Sequence, residues 1–235
     1  MDSKKLLLIF PIALLITYFG ADIFYDPKYI FFIKPFIIPS FMVYAILANY
    51  KKLNLKFYLF VLFLYTGETI MLFGYQYIPA LRIGLLSYLF CYISLILLAS
   101  EFVKKNQILS VFKGFTLFVF VLNCIFLVAI LYILITSIDD VLTNFIIVLN
   151  TISAVVLGIV AVLYLSNDNK RKAFLYFFGA CALIFNDIFM ALESYYLESM
   201  VLNTIERLLH FAAFYLIYLS VIQEDSTEKN KRVFI

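Results

Sequence analysis

The chain has 235 residues, of which 65% are hydrophobic and 14% are charged, and its formal net charge at pH 7 is +3. Its longest polar stretches, residues 100–113 and 224–235, are too short to form a soluble domain. This composition is typical of a polytopic membrane protein, and so small a positive charge requires no nucleic acid partner.

Eight apolar blocks of about 17 to 25 residues follow one another, each long enough to cross a hydrocarbon core of ~30 Å as a helix. Lipid offers no partner to backbone N–H and C=O groups, so a spanning segment is a helix or part of a closed barrel. Barrel strands alternate apolar and polar residues, whereas runs such as LVAILYILI do not. We therefore predict an all-α, single-domain bundle of eight transmembrane helices. They cover residues 6–22, 29–50, 57–75, 78–101, 114–135, 141–165, 172–195 and 201–222, followed by a tail at 223–235.

The distribution of charge predicts the orientation of the bundle. Most basic residues flank the blocks on one side, and basic loops stay in the cytoplasm. We expect an integral protein of a cell membrane, and specifically of a bacterial inner membrane. Both termini and the tail should lie in the cytoplasm. The first block ends in TYFGADIF, which offers no small-residue cleavage site, so we expect a retained helix. The basic side comprises Lys4, Lys5, Lys51, Lys52, Lys56, Lys104, Lys105, Lys113, Lys170, Arg171, Lys172, Lys229, Lys231 and Arg232, and the opposite loops carry Asp22, Asp26, Asp139, Asp140 and Glu198.

Ionisable side chains are few inside the predicted helices, where each costs about 2.5–3.5 kcal/mol at the bilayer centre. At a rise of about 1.5 Å per residue, those of separate helices fall at similar depths in the outer half of the bilayer. Their shared depth indicates a common polar site. In chain order they are Lys34 in the second helix, Glu68 in the third, Arg82 early in the fourth, Asp187 in the seventh with Glu193 near its end, and Glu206, Arg207 and His210 in the eighth.

Structural roles compete with functional ones for several of these residues. Arg207 could pair with Glu206 or Asp187 and so hold helices together. His210 shares one helical face with both eighth-helix charges, by its spacing, and could be a hydrogen-bonded structural histidine. Lys34 lies close enough to a helix start to extend its ammonium to the interface. The sequence leaves these alternatives open.

Glu68 and Asp187 are the strongest candidates for chemistry. Carboxylates in a low-dielectric slab either become neutral or pair with bases such as Lys34 and Arg207. Both outcomes suit general acid–base catalysis, and both also suit a proton-coupled transporter. The segments YTGETIML and IFNDIFMAL place the two acids in register, which suggests two parallel four-helix repeats with a site between them.

No metal or cofactor is expected. Cys91, Cys124 and Cys181 all fall inside predicted helices at spacings that suit no metal site, and His210 is the one histidine of the chain. The cysteines are more typical of small buried apolar residues.

The chain resembles the YhhN family of lysoplasmalogenase-like membrane proteins. Four motifs carry the resemblance: FFIKPFIIPSF in the second helix, LYTGETIML in the third, GLLSYLFCY in the fourth and GACALIFNDIFMAL in the seventh. Order and spacing agree from about residue 28 to 222. Lys34 and Asp187 match the family pattern, whereas Glu68 stands for an aspartate, Tyr92 for a histidine and Asn186 for a serine.

The resemblance implies a lipid hydrolase that cleaves the vinyl-ether bond of a lysophospholipid to a fatty aldehyde and a glycerophospho headgroup. It implies Asp187 as the principal acid and base, with Glu68 as its carboxylate partner. The alternative is a non-catalytic protein on the same scaffold that binds or transports a lipid or small solute. The remaining residues implied at the site are Lys34, Arg207 and Arg82 for the phosphate, and Tyr92, Asn186 and His210 as hydrogen-bonding neighbours.

Overall fold

The computed structural model describes residues 3–24, 28–74, 77–103, 115–166, 170–195 and 199–223. Helix dominates these ranges and no strand occurs in them, which confirms the predicted all-α class. The predicted tail beyond residue 223, the basic residues Lys104, Lys105 and Lys113, and the acids Asp26 and Glu198 lie outside the described residues. The α-helices are α1 (Ser3–Phe24), α2 (Lys28–Asn49), α3 (Leu55–Gly74), α4 (Ile78–Ser100), α5 (Phe115–Ser137), α6 (Val141–Leu165), α7 (Lys170–Tyr195) and α8 (Met200–Ile222), with a 3-10 turn at Tyr50–Lys52 after α2.

Six of these helices, α2 to α4 and α6 to α8, are long and apolar enough to cross a membrane, as expected of an integral membrane protein. The described apolar segments of the other two are shorter, Leu8–Gly20 in α1 and Asn123–Ser137 in α5. Large apolar side chains are exposed along many helices, including Phe36 and Ile125. Such surfaces suit contact with lipid.

Two compact units divide the chain, Met1–Cys91 and Tyr92–Ile235, with the division inside α4. In the first unit α1 packs on α2 and α2 packs on α3. Its core is apolar and aromatic, with Ile37, Phe57 and Phe60 fully buried.

A glycine allows α3 and the first half of α4 to approach closely. A Cβ atom at Gly84 would lie 2.7 Å from the Met71 sulfur, so the methionine side chain of α3 fills the space beside the α4 backbone. About two turns away along both helices, the rings of Phe63 and Phe90 stack with their centroids 5.2 Å apart. These contacts set the rotation of α4 against α3.

In the second unit α5 packs on α6 and α7, α6 packs on α7, and α7 packs on α8. The α7–α8 pair is close because Gly179 presents bare backbone to α8. A Cβ atom there would lie 2.7 Å from Ile217 Cγ1, 3.1 Å from the Ile217 nitrogen and 3.3 Å from the Ala213 carbonyl oxygen. Small residues at such contacts are the usual means of bringing membrane helices together.

An aromatic cluster joins α4, α6 and α7 near the basic end of α7. The Tyr176 hydroxyl donates to the Leu95 carbonyl oxygen at 2.7 Å. The Tyr164 ring contacts Tyr176 edge-on at 5.3 Å and stacks on Phe102 at 5.0 Å between centroids. The Lys172 ammonium lies 4.6 Å from the Phe102 ring centroid, which adds a cation–π contact.

Candidate functional site

Among the described residues, each unit contains a carboxylate whose two oxygens contact different donors. In the first unit, the Glu68 cluster consists of Lys34, Glu68 and Tyr88, supplied by α2, α3 and α4. The Lys34 ammonium nitrogen lies 2.7 Å from Glu68 Oε2, and the Tyr88 hydroxyl donates to Glu68 Oε1 at 2.6 Å. The Glu68 side chain is 6% exposed and that of Lys34 is 25% exposed. The Glu68 carboxylate is therefore buried, whereas the Lys34 side chain is partly exposed.

A glycine positions Tyr88 in this cluster. A Cβ atom at Gly67 would lie 3.2 Å from the Tyr88 ring, so the ring lies directly on the α3 backbone beside Glu68. Because the ring is close to α3, its hydroxyl reaches the carboxylate of the next residue. The motif residues Gly67 and Glu68 thus act together: one makes room for the tyrosine and the other accepts its hydrogen bond.

The two carboxylate oxygens of Glu68 each receive a different donor. A buried charge is tolerated when it is paired and its remaining acceptor sites are hydrogen-bonded. Lys34 supplies the opposite charge and Tyr88 the additional hydrogen bond. The sequence left open whether the Lys34 ammonium extends to the interface or pairs with an acid. In the structure it forms an ion pair with Glu68.

In the second unit, the Asp187 cluster consists of Tyr92, Asn186 and Asp187, supplied by α4 and α7. The Tyr92 hydroxyl donates to Asp187 Oδ2, and the Asn186 amide nitrogen donates to Asp187 Oδ1 at 3.1 Å. Tyr92 and Asn186 are both buried, and Asp187 is half-buried. Each carboxylate oxygen again receives its own donor, and here both donors are neutral.

By their spacing, the predicted site residues Arg207 and His210 lie on one face of α8 together with Glu206. Glu206 and His210 are buried, and Arg207 is partly buried. The His210 ring lies edge-on to the ring of Phe211, with centroids 5.3 Å apart. Arg82 lies in the first unit, partly buried near the beginning of α4.

The structure brings together two sets of the predicted site residues: Lys34 with Glu68, and Tyr92 and Asn186 with Asp187. Tyr88 is a participant that the sequence-based site did not include. Two signals point to it. It lies four residues before Tyr92, one helical turn away on α4, and it follows a glycine-containing acidic motif whose glycine leaves room for a ring.

The two clusters have the same arrangement: each carboxylate accepts from a different donor on each of its two oxygens. A carboxylate held in this way has a defined orientation and can exchange a proton without moving. Within the described residues no three His, Cys, Asp or Glu side chains are grouped in a way that could hold a metal ion. The polar groups of the two clusters are carboxylates, tyrosine hydroxyls, an amide and an ammonium, all of which can form hydrogen bonds.

Comparison of the chain with models of protein families, with curated proteins and with solved structures returned no match. The resemblance to the YhhN family stays a prediction from the sequence motifs.

Proposed function

We propose that this chain is an integral membrane hydrolase that cleaves the vinyl-ether bond of lysophospholipids, with the Asp187 cluster as its acid–base centre. The observation that carries the proposal is the pair of hydrogen bonds from Tyr92 and Asn186 to the two oxygens of Asp187. A half-buried aspartate with two fixed donors, in a helix of membrane-spanning length, requires a reason beyond packing. Proton transfer to and from a lipid supplies that reason.

The proposed chemistry uses Asp187 twice. The protonated carboxyl delivers its proton to the vinyl carbon remote from the ether oxygen, and the C=C electron pair forms the new C–H bond. This leaves an oxocarbenium ion at the neighbouring carbon. Hydrogen bonds from Tyr92 and Asn186 stabilise the aspartate that is formed, since donors to an ionised acceptor are the strong ones.

Water then attacks the oxocarbenium carbon and loses its proton to the Asp187 carboxylate, which restores the acid. The resulting hemiacetal breaks its bond to the glycerol oxygen, which takes up a proton as the hemiacetal hydroxyl loses one. The products are a fatty aldehyde and a glycerophospho headgroup. One carboxyl therefore serves as general acid and then as general base.

The Glu68 cluster suits the binding of the lipid phosphate. An ammonium has three N–H donors, and the part-exposed Lys34 side chain directs one of them to Glu68. Glu68, which accepts a hydrogen bond from Tyr88, holds the ammonium in place, and a fixed lysine ammonium has the charge and the donors that bind a phosphate. We assign Arg82 and Arg207 the same supporting role, and His210 a hydrogen-bonding one.

We further propose that all eight helices span the membrane with both termini in the cytoplasm, as in the bacterial inner membrane. Helix α1 has 22 residues and α5 has 23, which corresponds to roughly 33–35 Å at about 1.5 Å per residue. Both lengths exceed a hydrocarbon core of ~30 Å. The charge distribution of the loops supports the orientation.

The test is aldehyde release by the purified protein from a 1-alkenyl lysophospholipid. Asp187→Asn should lower the rate by about 10²- to 10⁴-fold, the usual contribution of a general acid–base group. Tyr92→Phe keeps the ring and removes one donor to a charged group, so a loss of about 10- to 150-fold is expected. Glu193→Gln makes the same acid-to-amide change elsewhere on α7 and should keep the parental rate. Release that survives in Asp187→Asn would refute this assignment.

A second candidate function is lipid or small-solute binding or transport without catalysis. The observation that favours it is that the Glu68 and Asp187 carboxylates already accept hydrogen bonds from tyrosine hydroxyls, an arrangement also suited to proton relays in transporters. Substrate-dependent proton flux across proteoliposomes, together with inert vinyl-ether lipid, would select this function. Flux that is unchanged in Glu68→Gln and Asp187→Asn would exclude it.

A further inference from the structure

Asn186 is almost completely buried, with 1% of its surface exposed. Its amide nitrogen donates to Asp187 Oδ1 at 3.1 Å. Its amide oxygen, Oδ1, is buried and accepts no hydrogen bond from any residue within the described ranges. The amide nitrogen therefore has a partner within the protein, whereas the amide oxygen has none among the described residues.

The orientation of the amide follows from its neighbour. If the amide were turned over, its oxygen would face an oxygen of the ionised Asp187 carboxylate, which places two acceptors against each other. With the nitrogen on Asp187, the oxygen must lie on the other side of the same amide group. A buried acceptor without a donor is costly, so this oxygen requires a donor that the described protein does not supply.

We infer that Asn186 Oδ1 is the acceptor for an O–H group of a bound molecule that is held against Asp187. An amide oxygen accepts from O–H and N–H donors, and it repels carbonyl, ester and phosphate oxygens, which are acceptors only. The amide joins this oxygen to Asp187 through a single side chain, so the bound O–H group lies beside the acid–base centre. Asn186 is thus a positioning and selecting residue for hydroxyl-bearing ligands.

Two sources can supply this O–H group. One is the free glycerol hydroxyl of a lysophospholipid, which a diacyl lipid lacks. The other is the water molecule that attacks during hydrolysis, which would donate one O–H to Asn186 and the other to Asp187. The inference rests on the proposed function for the lipid source only, because a bound water requires no lipid.

The experiment compares the full-length protein with Asn186→Leu in nanodiscs of a dialkyl phospholipid, which has neither a free hydroxyl nor a vinyl ether. The probes are a non-cleavable 1-alkyl lysophospholipid and its 2-deoxy analogue. Asn150→Leu is the matched control, because this asparagine lies on α6 and its amide donates to its own helix, to the Ile146 carbonyl, at 3.3 Å. Asn186→Ser is the second variant if leucine prevents folding.

If the lipid supplies the hydroxyl, the parent protein should bind the 2-deoxy analogue about 5- to 150-fold more weakly, the expected loss for an unpaired buried acceptor. This difference should vanish in Asn186→Leu and persist in Asn150→Leu. If water supplies it, both lipids bind the parent equally. A high-resolution structure should then show a water oxygen about 2.7–3.2 Å from Asn186 Oδ1, absent from the variant.

Equal binding of both lipids, together with no water at Asn186 Oδ1, would overturn the inference. A protein donor found on this oxygen would overturn it as well. Aldehyde release is measured in parallel on the parent protein. Its absence counts against the hydrolase proposal alone, because the water at Asn186 is read from the structure without turnover.

Discussion

The Lys34–Glu68 ion pair leads to a stability prediction that depends on the unequal burial of its two members. We consider Lys34→Met, which removes the cation and keeps the length of the side chain, and Glu68→Gln, which removes the anion and keeps an acceptor for Tyr88. Each variant leaves the other charge without its 2.7 Å partner. The double variant leaves neither charge.

The expected loss of unfolding free energy follows from the distance between the two charged groups and from the exposure of each side chain. Two unit charges 2.7 Å apart attract each other by roughly 6 kcal/mol at an effective dielectric constant of about 20. Breaking a buried pair costs about 3–5 kcal/mol, because a charge is left uncompensated. Glu68 is 6% exposed, so Lys34→Met should lower the free energy of unfolding by about 3 kcal/mol. Lys34 is 25% exposed on a flexible stem and can extend toward water, so Glu68→Gln should cost only about 1 kcal/mol.

The double variant should also lose only about 1 kcal/mol, which corresponds to a coupling of about 3 kcal/mol between the two sites. The assay is equilibrium unfolding in mixed micelles of a mild detergent and dodecyl sulfate. Lys172→Met is the control, because that ammonium lies over an aromatic ring and its loss should cost no more than about 1 kcal/mol. Equal losses in the two single variants, with an additive double variant, would refute the reasoning.

Three further substitutions probe helix contacts, and each of the two glycine substitutions among them has a second glycine as its control. Gly67→Ala places a Cβ atom 3.2 Å from a buried tyrosine ring and should cost about 1–3 kcal/mol of unfolding free energy, whereas Gly20→Ala, with nothing within 4 Å, should stabilise by about 0.5–1 kcal/mol. Gly179→Ala meets side-chain and backbone atoms of α8 at 2.7 to 3.3 Å and should cost at least about 2 kcal/mol, whereas Gly158→Ala, whose Cβ makes one ordinary contact at 3.8 Å, should be neutral or stabilising. Tyr176→Phe removes a 2.7 Å hydrogen bond to a backbone carbonyl and should cost about 1 kcal/mol, read from the same unfolding curves.

Each glycine variant at a helix contact has a glycine control, and equal stability of the two would contradict the packing in the structure. If Gly67→Ala is as stable as Gly20→Ala, the tyrosine ring does not lie on the α3 backbone. If Gly179→Ala and Gly158→Ala behave alike, α7 and α8 are further apart than the structure has them. For Tyr176→Phe, an unchanged unfolding curve would show that this hydroxyl is equally well satisfied by solvent.

Part of the candidate site was predictable from the sequence. Glu68 and Asp187 stand out because an acid inside a 20-residue apolar segment is costly, and Lys34 and Arg207 were candidate bases to pair with them. The partners were harder to assign. Lys34 and Arg207 were equally plausible bases for either acid, and Tyr88 was one of many tyrosines. The structure pairs Glu68 with Lys34 and Tyr88, and Asp187 with Tyr92 and Asn186.

The helical class follows from the amino-acid sequence alone, because a long apolar segment in lipid must satisfy its backbone within itself. The sequence also identifies the ionisable residues that are costly to place inside a bilayer. Which donor meets which carboxylate depends on how the helices pack. Most of these helices are apolar around most of their circumference, so hydropathy carries little information on their rotation about their axes. Rotation is set instead by local contacts, such as the Tyr88 ring on Gly67 and α8 on Gly179, and those contacts exist only once the helices are packed.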